Sequence, residues 1–344
     1  MLPAPVDLRS DTVTRPTAAL RQAMLDAEVG DDVYGEDPTV RRLEAETARL
    51  LGKEDALFMP TGCMGNQVAV RLWTHPGEEV ALGHQAHSFD WELAGLAALA
   101  GVQARPLHTE RGVFRVDEVR AALRPAGGFR PACRLLMVEN THNFQGGAVV
   151  PLQHLQELRK VALERGARVH LDGARLWNAC AASGVAPAAY AGTADSVMVC
   201  YSKGLGAPVG SALAGDRALV ARAREARKLL GGGMRQVGVL AAPALLALQS
   251  HRDRLVEDHA RARRLAEGLC RLPGLELPFG LPETNIVFVR VPGRDAQALK
   301  AALVLQGVLV GATGPDTLRL LTHLDVDDAG VARVLAAFQR VLAA

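Results

Sequence analysis

The chain has 344 residues, is 49% hydrophobic and carries a formal net charge of +2. That length buries a full core and predicts two domains, and near-neutral, interleaved charge excludes a nucleic-acid footprint. Five cysteines (Cys63, Cys133, Cys180, Cys200 and Cys270) are scattered without a CxxC pair, against a disulfide framework or zinc site and for a reducing cytosol.

The opening MLPAPVDLRSD has no basic region followed by an apolar stretch, so no signal peptide is read. DDVYGEDPTVRRLEAETARLLG predicts a helix that opens at Asp37-Pro38 and ends near Gly52. Short apolar runs follow: DALFMP, EEVALG, RLLMVEN, RVHLD and DSVMVCYS. Helical stretches such as LQHLQELRKVALERG separate them. This alternation predicts an α/β fold with a mostly parallel central sheet flanked by helices. VGVLAAPALLALQ is too short to span a bilayer, contains Pro243 and reads as a buried helix. A soluble cytoplasmic protein without membrane partners is expected. After about residue 245 a long charged helix, LQSHRDRLVEDHARARRLAEGLC, leads to two strand-like pieces, NIVFVRV and TLRLLTH. The expected division is a large domain over 1–245, N-terminal arm included, and a small C-terminal α/β domain over 246–344.

Ligands of open α/β sheets gather at the carboxyl ends of the strands. TGCMGN, HQAH, ENTHN, DGAR and SKGLG all fall at such ends, which predicts one shared site. GLGAPVG is not a dinucleotide fingerprint, because the third glycine would be needed where Val209 stands. Lys203 is one of only five lysines among 39 basic residues. In a loop among small neighbours it is arranged to form an imine with an aldehyde cofactor, against the plain alternative of a surface lysine in a turn. Asp172 could cap a helix, or could hold a pyridine nitrogen protonated. The Thr-Gly turn of TGCMGNQVAV opens a helix whose free N–H groups suit an anion, and Arg235 of GGGMRQ offers a fork for phosphate. Together these fit one ligand with an aldehyde, a ring nitrogen and a phosphate.

SDTVT, VGDDVYGEDPTV, ENTHN, HLDGAR, SKGLGAPVGS, GGGMRQ and LRLLTHLDV, running from about Leu8 to the C-terminal helix, resemble the signature segments of the low-specificity L-threonine aldolases. These are pyridoxal-phosphate-dependent enzymes of the aspartate-aminotransferase fold, type I. The resemblance implies pyridoxal 5'-phosphate as cofactor and cleavage of L-threonine, L-allo-threonine and related β-hydroxy-α-amino acids, such as phenylserine, to glycine plus an aldehyde. It makes Lys203 the Schiff-base lysine and Asp172 the partner of the ring nitrogen. Arg175, Arg319 and Ser10 would hold the substrate carboxylate. Gly62 and Cys63 would bind the phosphate, with Lys228 near the same edge and Arg235 reaching in from a neighbouring subunit. His87 would stack on the ring, and Tyr34 would enter from the partner chain of a homotetramer built as a pair of dimers. For the base that takes the β-hydroxyl proton two candidates stand: His87, or an ordered water held by His142. No metal site is expected, and His84 reads as structural. Cys63 replaces a usual threonine, SFDW (Ser88 to Trp91) follows the stacking histidine where tyrosines are common, and Phe129 occupies a loop position where some relatives carry histidine. The rivals are a β-eliminating lyase or a serine hydroxymethyl-type transferase of the same fold, and a binding protein without turnover.

Overall fold

The computed structural model describes residues 4–343. Seven strands form the main sheet: β1 (Asp55–Met59), β2 (Glu79–Gly83), β3 (Gln103–Leu107), β4 (Cys133–Glu139), β5 (Arg168–Gly173), β6 (Ser196–Cys200) and β7 (Ser211–Gly215). Their spatial order is β1-β7-β6-β5-β4-β2-β3. Neighbours pair in parallel except β7, which runs antiparallel to both β1 and β6. Both faces are buried in every strand but β3, as the unbroken apolar runs require. In β1, Ala56 and Phe58 enter one core with Val40 and Leu43, while Leu57 and Met59 enter another with Val68 and Ala69.

The helix Pro38–Leu51 forms where expected. The Asp37 carboxylate accepts from the N–H groups of Thr39 and Val40, and Gly52 ends the helix in the left-handed conformation. The apolar stretch with Pro243 is the helix Gly238–Ser250. Among the described residues no helix is long and apolar enough to cross a membrane.

One expectation is corrected. The long charged helix is interrupted, and a separate helix, Leu255–Leu269, begins after the break. At the break Arg252 Nε donates to the Leu248 carbonyl, one of those that end the first helix, while His251 Nδ1 engages the Leu205 carbonyl of the Lys203 loop at 2.7 Å. Two strands lie outside the runs read from sequence. SALAG of β7 has only small residues apart from Leu213, and QARPL of β3 carries Pro106, tolerated because β3 is an edge strand.

A second, antiparallel sheet consists of β8 (Ile286–Arg290), β9 (Gly311–Ala312) and β10 (Thr317–Leu321), in the order β8-β10-β9. The N-terminal arm, expected with the large domain, pairs Val6–Asp7 in parallel with Val308–Leu309. Val6 and Leu8 lie in the core made by residues of this second sheet and its helices. The arm therefore runs along the seam where Arg175 and Arg319 stand.

Candidate active site

The carboxyl ends of β1, β5 and β6 surround a cavity of about 290 Å³ that brings together Gly62, Cys63, His87, Asp172 and Lys203. At the end of β1, Thr61 caps the helix Gly62–Trp73 by accepting from the Met64 N–H at 3.1 Å. The preceding N–H groups of Gly62 and Cys63 belong to the first turn, where a helix offers no carbonyl partner, so they are available to an anion. A Cβ built on Gly65 would come within 2.7 Å of Met198 Cγ, which fixes glycine there.

Lys203 sits in the loop that leaves β6 and returns as β7. Its carbonyl accepts from the Gly206 N–H at 2.8 Å, and the Tyr201 N–H donates to the Gly210 carbonyl at 3.0 Å. Gly206 (φ 76°) and Gly210 (φ 109°) take conformations that side chains disfavour. This answers why a lysine stands in a stretch unable to continue as strand or helix: the glycines fold a tight cradle around it.

Asp172, at the end of β5, is buried. It accepts from Asn66 Nδ2 at 2.8 Å and from the Ala174 N–H at 3.1 Å. Burial pushes its carboxyl up to about 6, and the nearby Glu139 and Glu92 carboxylates add to the shift. A cationic ring nitrogen would relieve that cost. The amine, the buried carboxylate and the free helix N–H groups therefore fit pyridoxal phosphate.

His87 faces Glu92. Its ring Nδ1 lies 3.1 Å from Glu92 Oε1, and Glu92 also accepts from Asn66 Nδ2 (3.0 Å) and Gln67 Nε2 (2.6 Å). Burial opposes charge on His87, but the Glu92 hydrogen bond with Asp172 and Glu139 outweighs it, and the imidazole pKa is raised. Cys63, His87 and Glu92 place ligand-type atoms within 4.8 Å of one another. Burial, with Glu92 adding to it, pushes the Cys63 thiol up to about 11, so the sulfur is protonated and the cluster is held by the His87–Glu92 hydrogen bond.

The arginines stand at the seam. Arg175 is buried and bound to Asp11 through Nε (2.8 Å) and Nη2 (2.7 Å); Asn285 Nδ2 also donates to Asp11 at 3.3 Å. Arg319, on β10, donates from Nη1 to Asn143 Oδ1 at 3.0 Å and lies over the Phe144 ring. Its Nε is buried without a hydrogen-bond partner among the described residues. Burial, then the charge of Arg175, push the Arg319 guanidinium down to about 10. Two neighbouring guanidiniums, one with an orphaned N–H, make a site for an anion. Ser10 directly precedes Asp11, the partner of Arg175, and accepts from Thr12 Oγ1 at 2.8 Å.

Other expected residues lie elsewhere. His142 is buried with neither ring nitrogen hydrogen-bonded among the described residues, its pKa lowered by burial; it packs against Gly83 and Gly112 and is absent from the lining of the Lys203 cavity. Lys228 is exposed and arches over Gly233, whose preceding residue Gly232 packs against Met64 of the first helical turn. Arg235 bonds Asp31 Oδ2 at 3.0 Å, close in the chain to Tyr34, which is 75% exposed; both are outside the cavity. Phe129 is fully exposed. His84 accepts from the Thr109 N–H and stacks on His108.

The model of the beta-eliminating lyase family matches residues 7–292. The low-specificity L-threonine aldolase 1 of Arabidopsis thaliana is 42% identical over 344 residues, covering 98% of this chain and 96% of its own length. The low specificity L-threonine aldolase of Escherichia coli K12 is likewise 42% identical, with 98% and 99% covered. The chain belongs to the low-specificity L-threonine aldolase family. A solved threonine aldolase of Leishmania major, 21% identical, superposes with a TM-score of 0.84 over 98% of this chain and 100% of that one. The fold is thus that of type I pyridoxal-phosphate enzymes.

Within this aldolase family member, sequence reasoning passed over Asp11, Asn66, Glu92 and Glu139. Asp11, Asn66 and Glu139 lie inside SDTVT, TGCMGN and ENTHN, and Glu92 directly follows SFDW, in each case beside the residues that the motif itself marks. Glu139 is a clamp: one oxygen accepts from the His87 N–H and the other from the Asn143 N–H, both at 2.9 Å.

Proposed function

We propose that the chain breaks the Cα–Cβ bond of L-threonine, L-allo-threonine and related β-hydroxy-α-amino acids such as phenylserine, yielding glycine and an aldehyde. The observation that carries this reading is the cavity joining the Lys203 amine to buried Asp172; the neighbouring Arg175 and Arg319 guanidiniums stand at the seam of the two sheets. Pyridoxal 5'-phosphate bound there would be the sink for the electron pair released when the bond breaks. Lys203 would hold its aldehyde, Asp172 its ring nitrogen, the Gly62 and Cys63 N–H groups its phosphate and His87 its ring face.

The chain's own groups do the rest. Arg319, through its free Nε, and Arg175 bind the substrate carboxylate and fix rotation about Cα, which sets the bond to be broken in one orientation. Arg175 keeps Asp11 on one edge of its fork, so its position is set before substrate arrives. His87 takes the β-hydroxyl proton; of the two base candidates it lines the cavity, and Glu92 holds its Nδ1 side. Asp172 keeps a negative charge near the ring nitrogen, steadied by Asn66.

Arg235, Lys228 and Tyr34 stand outside the cavity, and this supports a shared site in which a neighbouring copy supplies Arg235 and Tyr34, within a homotetramer. The five free cysteines support a reducing, cytoplasmic setting. Two units, 1–245 and 246–344, fit the two sheets, with the N-terminal arm lying across them.

Incubation with L-threonine tests the reaction. Glycine and acetaldehyde are the expected products; 2-oxobutanoate and ammonia would mean elimination instead. Lys203→Ala is expected to abolish both turnover and the visible absorbance of the bound cofactor.

A further inference from the structure

Trp91 lies one helical turn beyond His87, its N–H donating to the His87 carbonyl at 2.9 Å. Its indole stacks on Phe144 with ring centroids 4.7 Å apart and planes 2° from parallel. On Phe144 also rests the Arg319 guanidinium, 5.1 Å from the ring centroid. The two aromatic residues come from distant segments, and the Glu139 clamp fixes both: one oxygen holds the His87 N–H, the other the Asn143 N–H. The wall they form therefore spans the gap between the residue proposed for the substrate carboxylate and the one proposed for the β-hydroxyl.

A substrate held by Arg319 at its carboxylate and by His87 at its β-hydroxyl must direct its β-substituent into the region these two residues bound. Trp91 is 53% exposed, an uncovered face for so large an aromatic ring. Beside it opens a second cavity of about 400 Å³, lined by Trp91, Leu93 and Leu99, which shares Thr61, Cys63 and Glu92 with the Lys203 cavity. Trp91, Leu93 and Leu99 give this second cavity an apolar wall that includes one large flat ring. A methyl group leaves most of such a wall uncovered, whereas a flat ring covers it in an offset stack.

We propose that the Trp91–Phe144 stack is the specificity wall for the β-substituent and makes the chain prefer β-aryl over β-alkyl hydroxy-amino acids. This rests on the function proposed above. Trp91 acts by contact with the leaving aldehyde portion and takes no part in proton transfer.

The test compares kcat/KM for threo-phenylserine with kcat/KM for L-threonine in the cofactor-loaded chain and in Trp91→Leu and Trp91→Phe. The parent ratio is expected to exceed one. Trp91→Leu should lower that ratio at least tenfold, and Trp91→Phe, which keeps a ring, should retain most of it. The visible cofactor absorbance of each variant checks that the site is assembled; should the leucine variant not fold, Trp91→Met carries the same comparison. A parent ratio below one, a ratio in Trp91→Leu within twofold of the parent, or an equal fall in Trp91→Phe overturns the proposal. Failure of the parent chain to release glycine from either substrate would instead overturn the underlying reaction.

Discussion

Arg175 and Asp11 meet through two hydrogen bonds of 2.8 and 2.7 Å, across 164 residues of sequence, with both side chains buried. The pair fastens the N-terminal arm to the end of β5 and leaves the guanidinium fixed at the seam of the two sheets. Removing one partner of such a pair strands a buried charge.

Asp11→Ala is accordingly expected to destabilise the chain by about 3–5 kcal/mol, read from urea unfolding. Burial alone would raise the Asp11 pKa, but Arg175 outweighs it and brings the carboxyl down to about 2. The folded value lies below the unfolded one, so this stabilisation is present above the ordinary carboxylate range. It is lost as pH falls toward about 2. The acid limb of the parent's stability curve should shrink in the variant.

Arg319→Ala removes the guanidinium with the orphaned Nε. A hydrogen bond to a charged group contributes about 1.5–3 kcal/mol, so KM for threonine should rise by roughly ten- to a hundredfold. The visible cofactor absorbance should persist, because Arg319 does not line the Lys203 cavity. Its loss in parallel with substrate binding would refute the assignment.

Glu92→Gln keeps the shape of the residue but removes the charge beside His87. Glu92 raises the His87 pKa, so the variant's histidine should lose its proton at lower pH. A base works deprotonated, and the rising acid limb of kcat/KM against pH should therefore move to lower pH in the variant. The ion pair's contribution to stability has the opposite profile from that of Asp11: full below the ordinary histidine range, and lost as pH rises through the raised folded value. An unmoved limb would show that His87 is not the base.

The readable parts of the sequence were those where a local rule decides. Asp37, Pro38 and Gly52 bracket a helix through its caps, and unbroken apolar runs become strands buried on both faces. Lys203 and Asp172 each had a plain local alternative, a surface lysine in a turn and a helix cap, and only their combination with the other strand-end motifs pointed to one site; both line one cavity. What escaped depended on contact across the fold. Asn66 joins Asp172 and Glu92, 106 and 26 residues away, and nothing in TGCMGN announces either partner. SALAG lies outside the apolar runs, and its place as a strand depends on antiparallel pairing with both β1 and β6. At the break near His251 the side chain bonds the Leu205 carbonyl, far off in the chain.

The seam also orders events in time. The parallel pairing of Val6 with Val308, the Arg15 N–H on Asp325 and the Arg9 carbonyl beside Arg319 all tie the beginning of the polypeptide to its final fifth. Synthesis proceeds from the amino terminus, and domains fold as they emerge. Residues 6–15 therefore find their place only after residues 308–325 have been made, and the seam between the two sheets closes with that late pairing.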